Sequence, residues 1–324
     1  MSEIYVRPDV RAFLAFLDSL PGPKINELEP PAAREQARAM RELADLPAEA
    51  LAVTRDLVAP GPAGEIPVRL FDSRATREPG PALVFFHGGG WVIGDIDVYA
   101  SICAEIARTL DLPLVSVDYR LAPENPWPAA PDDCEAVARW VAESPPSLGL
   151  KVTSLVLAGD SAGGALAITT AMDLRDRPAK VPVIAHFPIY PATDMAGKYP
   201  SLAAFADGYL LTEAAMDWFS DCYAADLSHA RASPLHADLA GMPPALVLTA
   251  SLDPIRDQGR AYAAALAKVG VPVIFREAVG NIHGFITLRK IIPSAVGDVA
   301  GALAALRPVI AEAEASRVMA QAAG

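Results

Sequence analysis

"VLAGDSAGGAL", residues 156–166, is an apolar run built for burial that breaks at a glycine, an acid and a serine and then resumes. Upstream, "SLVLAG" (154–159) has the continuous apolar character of a buried strand, and 162–175 has helical periodicity. G-x-S-x-G at a strand-to-helix junction requires a sharp turn that strains the serine and lifts its hydroxyl above the sheet edge. Gly159, Ala162, Gly163 and Gly164 leave room for the bend and for the helix behind it. That helix aims its first amides and the positive end of its dipole at whatever binds there. A serine serving only as a helix cap leaves the glycines on both sides unexplained.

The same alternation extends outward from this turn. "ALVFF" (82–86), "PLVSVDY" (113–119), "VPVIAHF" (181–187), "ALVLTA" (245–250) and "VPVIFREA" (271–278) read as further strands. Amphipathic stretches at 99–111, 131–143 and 257–269 lie between several of them. Apolar strands separated by helices predict an α/β fold with a mostly parallel sheet covered on both faces. Residues 51–58 and 65–72 add an antiparallel pair, bringing the sheet to about eight strands. Residues 1–48 are helical in pattern, and residues 190–240 interrupt the alternation with apolar and aromatic side chains at helical spacing. That insertion is too long for an idle connection and reads as a lid or cap. The expected organisation is an N-terminal helical segment (1–48), a core (49–189), the insertion (190–240) and a second stretch of core (241–324).

Composition narrows the function classes. Lys and Arg number 27 against 39 Asp and Glu, a net charge of −12, and such a chain repels phosphate backbones, so no nucleic-acid partner is expected. Cys103, Cys134 and Cys222 are odd in number and far apart, and make neither a disulfide framework nor a zinc site. The N-terminal apolar stretch is broken by Arg11 and Asp18 and does not read as a signal peptide. No stretch is expected to supply the roughly 20 apolar residues of a membrane span. A cytoplasmic protein without a membrane partner is the expectation. "VPVIFREA" reads as an edge strand able to pair with a second copy in a homodimer.

A serine hydroxyl needs a base to take its proton and an acid to orient that base. After a strand-turn-helix nucleophile the acid and then the histidine follow in the chain. Of the five histidines, only His283 in "GNIHGF" follows the last strand. Asp253 comes directly after "ALVLTAS", at the strand end where sites form, and Asp257, one helical turn later, is the second choice. Acyl transfer also needs donors for a developing oxyanion. "HGGGW" (87–91) follows the strand "ALVFF", and its three glycines free backbone amides to face one point. Ala162 adds the amide after the serine. His87 reads as a hydrogen-bond partner that orients this loop, not as the base.

Together "HGGGW", "DYRLAPE" (118–124), "GDSAGG", "DPIRDQG" (253–259) and "HGF" (283–285) resemble the hormone-sensitive-lipase family of α/β-hydrolases, the bacterial family IV esterases, in its GDSAG branch. The resemblance implies an α/β-hydrolase fold with a helical cap made from residues 1–48 and 190–240. It implies Ser161 as nucleophile, His283 as base and acid, and Asp253 as the orienting group. Gly88, Gly89 or Gly90 would donate to the oxyanion with Ala162, Gly89 belonging to either adjacent pair. The implied substrates are carboxylic esters of short to medium acyl chains, with no cofactor and no metal. Arg120 and Glu124 would sit in internal ion pairs. Gln258 stands where the family often carries Glu. An amide- or carbamate-directed hydrolase such as a deacetylase would use the same triad, and a silent ligand-binding relative would lack part of it. Candidates for the substrate pocket are Trp91, Asp160, Phe187, Tyr190, Phe205, Tyr209, Leu210, Leu211, Trp218 and Ile282. Core packing accounts equally for Phe187 and Tyr190.

Overall fold

The computed structural model describes residues 4–323, so the first three positions of the N-terminal segment and the last position of the chain lie outside it. In chain order the elements are α1 (Pro8–Ser19), α2 (Pro30–Ala44), β1 (Val53–Gly61), β2 (Gly64–Asp72), β3 (Gly80–Phe86), α3 (Ile96–Leu110), β4 (Leu114–Val117), α4 (Ala129–Ala142) and β5 (Val152–Asp160). There follow α5 (Ala162–Asp176), β6 (Val183–Ile189), α6 (Pro200–Phe205), α7 (Glu213–Tyr223), β7 (Ala245–Leu252), α8 (Arg256–Lys268), β8 (Val273–Ile282) and α9 (Ser294–Ala323). The strands form one sheet in the order β1-β2-β4-β3-β5-β6-β7-β8. β1 and β2 are antiparallel to each other, β2 is antiparallel to β4, and the remaining pairs are parallel.

Successive residues of the central strands feed two separate cores. Leu83 and Phe85 of β3, with Val156 and Ala158 of β5, pack with Ile102 and Ile106 of α3 and with Leu303 and Leu306 of α9. Val84 and Phe86, with Leu155 and Leu157, pack on the opposite face with Val137 of α4, Leu166 of α5 and Leu266 of α8. Because both faces are covered, these strands show no polar alternation, which is why they read as continuous apolar runs.

Two differences from the sequence expectations have simple causes. β6 runs two residues beyond the expected 181–187 because Ile189 still pairs with Asp160, placing Phe187 inside the strand. α9 was not foreseen as a single helix, and an 18-residue window of it, with mean hydropathy 1.4, is long and apolar enough by composition to cross a membrane. This corrects the expectation that no stretch approaches that character. About one face of α9 is taken up by the protein: Val299, Leu303, Leu306 and Ile310 are buried in the core beneath it.

The N-terminal segment is tied to the end of the chain. Arg7 donates its backbone N–H to Gly280 O at 3.2 Å and forms a two-point ion pair with Asp298 of α9. α2 is tied to the loop after β3. Arg34 donates to Val92 O at 2.8 Å and to Ala122 O at 3.0 Å and pairs with Glu124, while Arg38 reaches Asp95 at 2.6 Å.

Candidate active site

β5 delivers Ser161 at its carboxyl end, where φ is +55° and ψ is −118° before α5 begins. A non-glycine residue in that left-handed region is strained, and the surroundings hold it there. Its N–H is bound by Ile189 O at 2.8 Å, and its carbonyl accepts from Ala165 and Ala192. The bend also needs clearance behind it: a Cβ on Gly163 would overlap the Phe86 carbonyl, so only glycine lets α5 lie this close to β3.

His283, just past β8, brings Nε2 to 2.8 Å from Ser161 Oγ and Nδ1 to 2.7 Å from Asp253 Oδ2. A carboxylate only accepts, so Nδ1 carries the hydrogen and Nε2 is left to accept from the serine hydroxyl. Asp253, fully buried after β7, is itself held by the Ile255 N–H at 2.9 Å. Asp257, the second choice, instead accepts from Ser201 N and pairs with Arg256 and Arg260. It takes no part in this relay.

The glycine loop resolves unevenly. Gly88 N–H donates to Asp160 Oδ1 at 2.7 Å, so its hydrogen is already engaged. Among the described residues no partner takes the amides of Gly89, Gly90 or Ala162. This narrows the three glycines to Gly89 and Gly90 and removes Gly88 from the set of free donors. Gly89 has φ +112°, a conformation that turns the loop and that side-chain-bearing residues rarely adopt.

Beneath the loop, His87 is fully buried, stacked on Tyr119 with ring centroids 4.2 Å apart, and its Nδ1 lies 2.8 Å from Gly88 O. Burial pulls its pKa down to about 4, so the ring is neutral and donates to that carbonyl. Tyr119 of the "DYRLAPE" segment donates to His87 O at 2.6 Å. Asp160 is buried, accepts from Tyr99 at 3.1 Å and Tyr190 at 3.3 Å as well as from Gly88, and burial pushes its carboxyl up to about 6. Arg120 is paired with buried Asp133 at 2.7 Å, whereas Glu124 is half exposed and pairs with Arg34 of α2. Glu124 therefore ties a surface helix down and is not internal.

Over Ser161 lies a cavity of about 1050 Å³. Trp91, Asp160, Leu210 and Leu211 line it, as expected, together with the three glycines, Ser161, Ala162 and His283. Six other candidates do not. Phe187 and Ile282 point into the core around α9. Tyr190 packs under His283, ring centroids 4.5 Å apart, and spends its hydroxyl on Asp160. Phe205 packs edge-on against Tyr209 under Arg256, and Trp218 lies against Phe219 on the core side of α7. In their place come Met216 and Phe219 of α7, Tyr99 of α3, and Leu14, Leu17 and Met40 of α1 and α2. The N-terminal contribution was hard to foresee, because an apolar stripe on an amphipathic helix does not say whether it covers core or cavity. Among the described residues no group of three or more His, Cys, Asp or Glu is arranged to hold a metal ion.

A strained serine at a strand-to-helix turn, a relay from it through an imidazole to a buried carboxylate, and unpaired amides beside it define a hydrolase site of the α/β-hydrolase type. The chain belongs to the α/β hydrolase fold family, whose model matches residues 83–287, in the hormone-sensitive-lipase group that its motifs resemble. It is 39% identical over 267 residues to the carboxylic ester hydrolase LipN of Mycobacterium tuberculosis, covering 79% of this chain and 70% of that one. It is 37% identical over 238 residues to an ethyl acetate hydrolase of Pseudomonas putida, covering 71% and 74%. Among solved structures, the esterase of Pyrobaculum calidifontis superposes with a TM-score of 0.85 at 33% identity, covering 94% of this chain and 98% of that one. A thermostable esterase from Pseudomonas putida superposes at 0.89 and 29% identity, covering 96% and 99%.

Proposed function

We propose that this protein is a serine carboxylesterase acting on short- to medium-chain carboxylic esters through an acyl-enzyme. The observation that carries the reading is the unbroken relay Ser161–His283–Asp253, with bonds of 2.8 and 2.7 Å, set beside the unpaired amides of Gly89, Gly90 and Ala162. Ser161 Oγ attacks the ester carbonyl while His283 Nε2 takes its proton, and Asp253 stabilises the imidazolium through Nδ1–H. The three amides hold the tetrahedral oxyanion. His283 then protonates the departing alcohol. Water repeats the sequence against the acyl-enzyme and releases the acid.

The wall around the serine is largely apolar, from Leu14 and Met40 to Met216 and Phe219, and suits an acyl or alkyl chain. Turnover of p-nitrophenyl acetate, butyrate, octanoate and palmitate by the wild type and by Ser161→Ala tests the reading. Fast release on the shorter esters by the wild type alone supports it. Equal rates for both proteins, or no release from any ester with turnover of acetanilide-type amides, overturn it. The edge strand β8 exposes Ile274, Phe275 and Val279, and pairing of two copies along it belongs to the same reading.

A further inference from the structure

Gln258, in the first turns of α8, is 5% exposed and lines the cavity over Ser161. Its Oε1 accepts from the backbone amides of Thr193 at 3.0 Å and Asp194 at 3.1 Å. Two converging N–H donors require an oxygen at that position, so the orientation of the amide is settled by chemistry. Its Nε2 is then the group left over, and no partner takes it among the described residues. With its oxygen committed to two backbone donors, the side chain has only its two N–H donors left to offer an acceptor in the cavity it lines. The loop it grips is adjacent to the reaction centre, since Ala192 N–H is bound by Ser161 O at 3.3 Å.

We propose that Gln258 is a specificity-determining residue whose Nε2 donates to a second, neutral hydrogen-bond acceptor on the substrate, a ketone, ether or further ester carbonyl near the scissile bond. This deepens the esterase reading and rests on it. The acceptor is neutral because, among the charged side chains of this largely apolar wall, the acids Asp18, Asp160, Asp194, Asp207, Glu213 and Asp217 outnumber Lys24 and Lys198. A carboxylate on the substrate would meet repulsion there. A site built to hydrogen-bond a substrate group discriminates against the analogue that lacks it, because the buried partner is then left unpaired.

The test compares near-isosteric pairs that differ by one carbonyl oxygen. In the acyl arm these are the p-nitrophenyl esters of 4-oxopentanoate and 4-methylpentanoate. In the alcohol arm they are 4-oxopentyl and 4-methylpentyl acetate, followed by acid release. Each is measured with the wild type and with Gln258→Glu, which keeps an oxygen for Thr193 and Asp194 but replaces the free donor by an acceptor. In one arm the wild-type preference in kcat/KM for the oxo member, corrected for the hydroxide rates, is expected to exceed that of the variant by roughly 3- to 10-fold, the value of one neutral hydrogen bond. That arm identifies which half of the ester reaches Gln258. Equal ratios in both proteins and both arms, with all esters turned over, overturn the proposal. A variant that lowers every rate by one factor and lowers Tm is a structural effect and also overturns it. Should Gln258→Glu not fold, the wild-type ratios decide alone: values no greater than the hydroxide ratios in both arms overturn it. A wild type that cleaves none of the four esters fails the esterase reading itself.

Discussion

Gly88 gives its amide hydrogen to Asp160, 2.7 Å away, and the residue before the nucleophile thereby fixes the loop that faces it. One carboxylate joins the serine turn, the glycine loop and, through Tyr190, the underside of His283. The site is held by this contact as much as by the relay above it.

Replacing Ser161 by Ala removes the attacking group and is expected to lower kcat by roughly 10⁶-fold with little change in fold, as for nucleophile loss in other serine hydrolases. Steady-state kinetics with p-nitrophenyl butyrate, alongside circular dichroism, check this. Residual turnover within tenfold of the wild type would sink the assignment.

Gly89→Ala is expected to cost roughly 10²- to 10³-fold in kcat, the usual cost of losing an oxyanion donor. The added methyl would overlap the Ile93 carbonyl at a backbone φ of +112°, so the loop must shift and carry its amide away from the oxyanion. The expected signature is a fall in kcat larger than any rise in KM.

Asp160 has a pH consequence whose sign is opposite to the usual carboxylate. Its folded pKa of about 6 lies above the ordinary aspartate value of 3.8, so between the two the folded state holds the proton that the unfolded chain has lost. This group's contribution to stability is therefore present at low pH and is lost as pH rises through about 6, a change on the order of 2 kcal/mol. Asp160→Asn should remove that slope from urea-unfolding free energies measured between pH 4 and 7. Its kcat should also fall, because the asparagine NH₂ now faces two tyrosine hydroxyls that had donated to an oxygen. An unchanged pH slope would count against this account.

His186 acts in the opposite sense. It is fully buried, 2.8 Å from Tyr262 Oη, and burial lowers its pKa from 6.5 to about 4. The unfolded chain binds the proton first, so stability is lost as pH falls from about 6.5 to 4, on the order of 2–3 kcal/mol. His186→Phe should flatten that part of the profile while leaving esterase activity at pH 8 within about threefold, because His186 touches neither the cavity nor the relay.

Arg34 joins α2 to the glycine-loop segment through Val92 O and to Glu124 through two parallel bonds. Arg34→Lys cannot reproduce that fork. It is expected to lower kcat/KM about tenfold, on the scale of one lost charge-assisted bond, and to speed proteolysis within residues 20–45. Limited trypsin digestion and kinetics together check it.

The relay was legible in the sequence because each of its members stands at the end of a strand, where motif order and strand order agree. Ser161, Asp253 and His283 needed only that ordering, and His87 was separable from them because it precedes the serine. The pocket was far less legible. Leu210 and Leu211 reach the cavity while Tyr209 and Phe205, one to six residues away, turn inward, and nothing in an apolar run tells which way side chains point from the irregular link between α6 and α7. Gly88, Gly89 and Gly90 are identical as letters, and it takes the backbone conformation and the Asp160 carboxylate to tell them apart. α9 escaped notice because its alanines, Pro308 and scattered charges give no strong one-sided pattern, although Val299, Leu303 and Leu306 seat it on the sheet.

The seat of Arg7 on Gly280 and Asp298 bears on how the enzyme is made. The helices that line the mouth of the cavity are made well before the strand and helix that receive Arg7. α2 finds its partners at Val92, Asp95, Ala122 and Glu124 early, but α1, with Leu14 and Leu17, has to wait for β8 and α9. A nascent chain stalled before residue 298 would therefore hold an assembled nucleophile turn with α2 seated and α1 still without its ion pair.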